Sequence, residues 1–243
     1  MASAPNQYPE IGYERTLSRV ILEIISSSGR EMTLSDESQG VFSACFRKSR
    51  RLAFVHTGDA RRIFIANFSL RGVHMAHRMT SDLREVARAI EFWLLDELTL
   101  HEMKQRLPNL DISELSFETE AGRGVDALWN LLLSPDDEPN LRPWLGSDFR
   151  ALLSAAANRP LLRQLVPVVS LGQYLSFSRT IGYPFAMAAD CSVGAANGRC
   201  CFFGRGNHPL VEGTVEEMLD MAERSIPQGI GPAIFGTADD LIA

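Results

Sequence analysis

Between residues 41 and 79 apolar side chains recur at every second position, and this period constrains the fold more than any other feature of the chain. A period of two is typical of half-buried β-strands. The turn signals that separate the alternating sets, at residues 49–50, 58–59 and 71–72, leave connections too short for the crossover that parallel strands require. The sequence therefore predicts an antiparallel meander of four strands.

Amphipathic helices are predicted on both sides of this meander. Apolar residues recur at helical spacing over residues 17–25 and again over 83–94. Asp82 followed three residues later by Glu85 predicts a capping pair at the start of the second helix, and residues 99–102 predict a capping box for a third. The first half of the chain thus has the order helix, sheet, helix.

The same order returns in the second half of the chain. Helical spacing over residues 149–165 comes first, and a capped helix beginning at Thr214 comes last. Three strands are predicted between them, near residues 173–179, 187–195 and 199–204. Asn197-Gly198 between the last two is a strong hairpin signal. The predicted fold class is α+β with two helix–antiparallel sheet–helix halves. A divergent duplication is left open, because the residues themselves show no repeat.

A proline-rich acidic segment separates the two halves. Residues 134–143 (SPDDEPNLRP) contain three prolines and three acidic residues, which is typical of a linker. The predicted organisation is a disordered, exposed tail over residues 1–12, an N-terminal α+β half over 13–133, this linker, and a C-terminal α+β half over 144–243.

Charge and composition exclude several classes of protein. The chain has 24 basic and 30 acidic residues and a net charge of −6, which argues against sequence-independent binding of nucleic acid. No apolar run approaches the roughly 18 residues that a membrane span needs. The N-terminal residues lack the apolar core of an export signal. We therefore expect a cytoplasmic protein that binds neither nucleic acid nor membrane.

Signature motifs of catalysis and cofactor binding are absent from the sequence. There is no P-loop, no G-x-G-x-x-G after a strand, no H-E-x-x-H and no G-x-S-x-G, so no cofactor is predicted. The four cysteines form no C-x-x-C pair. His74 and His77 lie three apart in a predicted strand and should point to opposite faces, so no metal site is predicted.

Four segments of the second half carry a resemblance to a known family. They are NRPLLRQLVP at residues 158–167, LSFSR at 175–179, GYPF at 182–185 and GPAIFGTADDL at 231–241. Together with the helix near residues 87–93 they resemble an uncharacterised actinobacterial family of unknown function, over residues 80–241. That family is usually labelled a natural-product biosynthesis protein. The resemblance implies a specialised-metabolite gene cluster as the setting and says nothing direct about chemistry.

Side chains able to bind a ligand are concentrated between residues 174 and 208. The candidate ligand-binding residues are Arg179, Tyr183, Asp190, Cys191 and His208. Arg179 follows Phe177 in phase on a predicted strand, so its guanidinium needs an acidic group of the protein, with Asp190 nearest, or of a ligand. Cys191 and His208 would make a nucleophile and its base, although no third group that orients the base is identifiable.

Three functions remain open on this evidence. The first is a non-catalytic accessory protein that binds a pathway enzyme or a small amino-acid-like or peptide-like intermediate. The alternative is a cofactor-independent enzyme acting on a carboxylate-bearing intermediate, with Arg179 as anchor and Asp190, Cys191 or His208 as proton-transfer groups. The third is an immunity or chaperone-like module. The sequence does not give the substrate, the partner or the oligomeric state, and a homodimer is among the possibilities.

Overall fold

The computed structural model of the chain describes residues 7–12, 15–32, 40–134, 146–204 and 209–242. Contacts between residues divide the chain into two units, Met1–Phe117 and Glu118–Ala243. Each unit contains one antiparallel sheet together with helices. The α+β fold class predicted from the sequence is therefore confirmed.

The first unit is built around a four-stranded meander. Its elements are α1 (Leu17–Ser27), β1 (Ser43–Lys48), β2 (Arg51–Thr57), β3 (Phe64–Leu70), β4 (Val73–Thr80), α2 (Leu83–Ile90) and α3 (Leu100–Arg106); α4 (Glu114–Glu120) includes the boundary between the units. The strands pair antiparallel in the order β1-β2-β3-β4, as the alternation of side chains predicted.

Helices α1 and α2 cover the meander and complete the core of the first unit. The sequence predicted one helix over residues 83–94, but α2 ends at Ile90 and the chain widens into a π-helical turn, Glu91–Leu95. In this turn Trp93 and Leu94 are both fully buried. The Trp93 indole donates a hydrogen bond of 3.1 Å to the carbonyl of Leu52 on β2, which satisfies its buried N–H.

The second unit contains a five-stranded meander. Its elements are α5 (Gly124–Leu133), α6 (Ser147–Ala157), α7 (Pro160–Arg163), β5 (Val166–Ser170), β6 (Tyr174–Ser178), β7 (Ser192–Ala196), β8 (Arg199–Phe203), β9 (Pro209–Gly213), α8 (Val215–Ser225) and a 3₁₀ turn, Ala238–Leu241. The strands follow one another in order from β5 to β9. Asn197 and Gly198 join β7 to β8 with φ of 54° and 72°, so the predicted hairpin is confirmed.

The boundary between the units lies earlier than the sequence predicted. Helix α5 falls in the predicted N-terminal half, yet its Trp129 is fully buried among Phe149, Phe177 and other core residues of the second unit. The Trp129 indole donates a hydrogen bond of 2.9 Å to the carbonyl of Leu165. Of the predicted linker, residues 135–143 lie outside the part of the chain that the structure describes.

The predicted exposed tail is wrong for residues 7–12. Tyr8 is fully buried, and its hydroxyl donates to the carbonyl of Gly58 at 2.9 Å and accepts from the amide of Ile63 at 3.0 Å. The Tyr8 ring packs edge-on against Phe64 with ring centroids 5.4 Å apart. The Tyr8 ring and its hydroxyl both contact residues at or next to the turn after β2, so this segment belongs to the core. Residues 1–6 lie outside the described ranges.

Candidate functional site

Four of the five predicted site residues lie in one connection of the second unit, between β6 and β7. We call residues 179–191 the β6–β7 loop; it contains Arg179, Tyr183, Asp190 and Cys191. His208 falls outside the residues that the structure describes. Most of the residues chosen from the sequence therefore lie in one structural feature. The predicted contacts of Arg179 with Asp190 and of Cys191 with His208 stay predictions.

Two buried hydroxyl groups hold the base of the β6–β7 loop. Ser178 and Thr180 are both fully buried. The Ser178 hydroxyl accepts from the amide of Thr180 at 3.0 Å and lies 2.8 Å from the Thr180 carbonyl and 3.1 Å from that of Ala186. The Thr180 hydroxyl accepts from the amide of Ala186 at 2.9 Å. These bonds join the two ends of the segment 178–186, so its conformation is fixed from within.

The C-terminal segment of the chain holds the other edge of the loop. The amide of Ile234 donates to the carbonyl of Arg179 at 2.9 Å, and the amide of Gly182 donates to Gly236 at 2.8 Å. Ala238 in turn donates to the carbonyl of Pro184 at 2.9 Å. The segments 182–185 and 231–241, which both carry the resemblance noted in the sequence, are therefore bonded to each other. The segment 158–167 joins them through a bond of 2.9 Å from Ala233 to Gln164.

The tip of the fixed loop presents apolar side chains to solvent. Tyr183 is 73 % exposed, Phe185 37 % and Met187 41 %. The Tyr183 and Phe185 rings meet edge to face with centroids 6.0 Å apart. Exposed aromatic rings on an ordered backbone are typical of binding surfaces, because little entropy is lost when a partner covers them.

Arg179 lies at the start of the loop, beside this apolar tip in sequence. Its backbone is fully engaged, since the amide donates to Ala186 at 2.8 Å and the carbonyl accepts from Ile234. Its side chain is half-buried, and the buried Nε has no hydrogen-bond partner among the described residues. A buried donor without an acceptor is costly, so the Arg179 side chain carries an unsatisfied hydrogen-bonding capacity in the described part of the chain.

Cys191 is the only candidate nucleophile in the loop, and its surroundings disfavour that role. Burial raises the pKa of the Cys191 thiol, and the negative charge of Asp190 raises it further, while a hydrogen bond with Ser225 opposes the rise. A catalytic cysteine requires a lowered pKa, because the thiolate is the nucleophile. At neutral pH the Cys191 side chain is therefore a thiol.

The two histidines of β4 are closer than the sequence predicted. A bulge interrupts the β3–β4 pairing, so that Phe68 faces Ala76 while Ser69 faces His74. The extra residue brings His74 and His77 to one face, with ring centroids 6.1 Å apart. The predicted opposite orientation is therefore wrong. Even so, the described residues contain no cluster of three or more His, Cys, Asp or Glu that could hold a metal ion.

A second concave feature, in the first unit, was not predicted. A cleft of about 460 Å³ lies between α2, the end of α3 and β4, and four arginines line it: Arg78, Arg84, Arg88 and Arg106. The sequence predicted that Glu85 forms a capping pair with Asp82, but Glu85 instead bonds to Arg78 and Thr80. The spacing of Arg84 and Arg88, one helical turn apart, was the available signal.

Comparison with known proteins finds one family model that part of this chain matches. Residues 123–237 match the model of a family of unknown function (DUF6193). The match falls within the second unit and covers the whole β6–β7 loop. The resemblance stated from the sequence extends over residues 80–241, so its residues 80–122 and 238–241 lie outside this match. No curated protein and no solved structure matches the chain. Within the described ranges, no helix has the length and apolar character needed to cross a membrane.

Proposed function

We propose that this chain is a non-catalytic binding protein whose β6–β7 loop binds a carboxylate-bearing ligand, either a small amino-acid-like or peptide-like intermediate or an acidic group of a pathway enzyme. The observation that carries the proposal is the side chain of Arg179, whose buried Nε has no acceptor in the described part of the chain. A guanidinium binds a carboxylate through two parallel hydrogen bonds, so a carboxylate supplies what this side chain needs.

The tip of the loop supports an apolar ligand portion next to the carboxylate. Tyr183 and Phe185 are exposed and held in an edge-to-face pair. The buried hydroxyls of Ser178 and Thr180 fix the backbone on which these rings stand. A ligand that combines a carboxylate with an apolar group would therefore meet a preorganised surface, which lowers the entropic cost of binding.

Binding without catalysis is favoured over the enzymatic alternative by the state of Cys191. Its raised pKa leaves a neutral thiol at physiological pH, which is a poor nucleophile and a poor general base. Asp190 is exposed to solvent, where a carboxylate is well hydrated. The enzymatic alternative needs a nucleophile or a general base in this loop that its surroundings activate. The described surroundings of Cys191 and Asp190 do not favour such activation.

The biological setting that we propose is a natural-product pathway in the cytoplasm of an actinobacterium. It rests on the resemblance of residues 158–185 and 231–241 to proteins so labelled. In that setting the chain would act as an accessory protein that holds an intermediate or a pathway enzyme.

The proposal is tested with a matched pair of probes, N-acetyl-L-phenylalanine and its uncharged amide. We expect isothermal titration of the whole protein to show binding of the acid and at least about tenfold weaker binding of the amide, the difference made by one charge-assisted bidentate contact. Arg179→Lys keeps the charge but loses the planar fork, so it should weaken binding of the acid by about tenfold or more. Tyr183→Ala should also weaken it, through lost apolar contact.

Two further variants separate the proposal from its alternatives. Arg199→Lys changes an exposed arginine of the same unit that pairs with Glu212, and it should leave binding unchanged. Cys191→Ser should bind as the wild type does, and mass spectrometry should show no conversion of either probe. Equal affinity for acid and amide, or full binding by Arg179→Lys, would overturn the proposal. Turnover that Cys191→Ser abolishes would favour the enzyme instead.

A further inference from the structure

The first unit contains a positively charged cleft that the proposed function does not use. Its volume is about 460 Å³, within the range of small-molecule sites. Strand β4, helix α2 and the end of α3 form its walls. The charged residues that line it are Arg78, Asp82, Arg84, Glu85, Arg88 and Arg106. Four arginines against two carboxylates leave an excess of two positive charges.

Arg78 supplies a buried positive charge to this cleft. Its side chain is only 5 % exposed, and Nη2 donates to the Oε2 of Glu85 at 2.5 Å. Nε and Nη1 are buried and have no hydrogen-bond partner among the described residues. A buried guanidinium with three N–H groups unsatisfied is costly, because each lost its hydration without gaining an acceptor. An oxyanion in the cleft would bring acceptors and negative charge to this residue.

Both carboxylates of the cleft are already engaged within the protein. Asp82 caps α2, where its Oδ1 accepts from the amide of Arg84 at 2.8 Å. Glu85 accepts from Arg78 and from the hydroxyl of Thr80, the latter at 2.8 Å, and these bonds lower its pKa. Both carboxylates are therefore held by groups of the protein, and with both of their charges counted, two positive charges of the cleft stay unmatched.

The rim arginines are exposed. The carboxylates that act on them, Glu85 on Arg88 and Glu102 on Arg106, are each hydrogen-bonded to other groups of the protein. Arg84 and Arg88 stand one turn apart on α2, and neither forms an ion pair with a described residue. Like charges at this spacing repel and destabilise a helix slightly. Arg106, at the end of α3, lies over the ring of Phe92 with its guanidinium carbon 5.1 Å from the ring centroid, which orients it at the cleft.

Acidic residues on the other side of α2 do not compensate for these charges. Glu23 and Glu91 border a neighbouring groove that Arg84 and Arg88 also line. Glu23 is paired with Arg15. Glu91 lies 4.0 Å from the guanidinium of Arg30 and accepts a hydrogen bond of 2.6 Å from the hydroxyl of Ser28. Both are therefore bonded to other groups, and the excess positive charge stays with the cleft.

We propose that this cleft binds the phosphate group of a small molecule. A phosphate dianion matches the excess of two positive charges, and its tetrahedral oxygens can accept from arginines that approach from several sides. A monocarboxylate offers one charge in one plane and would leave part of the arginine cluster unneutralised. This site lies in the first unit and shares no residue with the β6–β7 loop. The experiments that test it are therefore independent of those that test the function proposed for the loop.

The test is a titration of the whole protein with sodium phosphate, glycerol 3-phosphate and succinate at constant ionic strength set with sodium chloride. We expect saturable binding of phosphate or of its ester by calorimetry, with one site per chain and a rise in the melting temperature of the protein. Succinate carries two negative charges as well, but on two separate planar carboxylates, so it should bind at least about tenfold more weakly than a phosphate whose charge is concentrated on one tetrahedral group. Absence of saturable binding of both phosphate compounds, or tighter binding of succinate, would overturn the proposal.

Matched charge variants distinguish a built site from general attraction of anions. The double variant Arg84→Gln/Arg88→Gln removes two positive charges at exposed positions, so it should fold, and it should weaken phosphate binding by about tenfold or more. Arg61→Gln removes an exposed arginine of the same unit that does not line the cleft, and it should change affinity by less than about twofold. Equal losses in the two cases would refute a specific site. Arg78→Lys, where folding is verified by circular dichroism, should lose affinity as well.

Discussion

Replacing Ser178 by alanine tests whether buried hydroxyl groups hold the β6–β7 loop. The hydroxyl is fully buried and accepts a hydrogen bond from the Thr180 amide at 3.0 Å. Ser178→Ala leaves that buried N–H without an acceptor and also removes a donor to the carbonyls of Thr180 and Ala186. The Ala186 carbonyl keeps its bond from Arg179, so one orphaned donor dominates the loss. We expect a loss of about 1–3 kcal/mol in the free energy of unfolding.

Urea denaturation followed by circular dichroism and tryptophan fluorescence measures this loss. Ser176→Ala is the matched control, because Ser176 lies on the same strand and its side chain forms no hydrogen bond with the described residues. We expect the control to stay within about 0.5 kcal/mol of the wild type. A change of that small size in Ser178→Ala as well would refute the reasoning, since it would mean that solvent replaces the hydroxyl and that the loop is not fixed by it.

Three further predictions follow from packing and ionisation. Phe177 is 4 % exposed in the core of the second unit, so Phe177→Ala should cost about 3–5 kcal/mol in urea denaturation, and a loss below about 1 kcal/mol would count against its burial. Burial raises the pKa of Cys191 and raises that of Cys200 to about 11. Iodoacetamide should therefore alkylate both thiols slowly at pH 7.5 and faster as the pH rises. Rapid labelling of Cys191 at pH 7 would contradict this prediction. Bonds from Arg78 and Thr80 lower the pKa of Glu85 below 4.5, so its stabilising effect is present above that pH and is lost as the pH falls through the lowered value. Glu85→Gln should therefore destabilise the protein by about 1 kcal/mol at pH 7, because solvent screens the half-exposed carboxylate, and by less in acid; equal losses at both pH values would contradict the pairing.

Periodicity predicted the interiors of the strands and helices well where one face of an element is buried. The meander over residues 41–79 and the capping boxes at Thr99 and Thr214 are present as expected, because both signals depend on neighbours in sequence. Strand β9 was missed for the corresponding reason. All five of its residues are exposed, so it has no buried face to impose an alternation.

Contacts between residues distant in sequence determined the features that local sequence patterns did not predict. The segment containing Tyr8 has no periodicity, and only its pairing with the turn near Gly58 makes it part of the core. The β-bulge beside Ser69 likewise depends on strand pairing, and it reversed the predicted orientation of His74 relative to His77. In each case the deciding partner lies in another strand or turn.

The candidate site was found in part. Arg179 and Tyr183 were singled out by residue type and strand phase, and both lie in the β6–β7 loop. The hydrogen bonds of that loop to residues 234–238 join positions about fifty apart, which no local pattern reveals. The sequence did not predict the arginine cleft, because the spacing of Asp82 and Glu85 fits a capping pair and so explained Glu85 without any arginine. Its true partner, Arg78, lies on a strand rather than on the same helix.

The most direct test of the central claim observes the Nε–H group of Arg179 by nuclear magnetic resonance. Its signal is identified by its loss in Arg179→Lys, and burial of the nitrogen should slow its exchange with water. The account predicts that N-acetyl-L-phenylalanine moves the Nε–H proton downfield in a saturable way, as expected for a new bond to a carboxylate, and that the amide does not. A signal that moves equally with both compounds, or with neither, would contradict the claim that this loop binds carboxylates through Arg179.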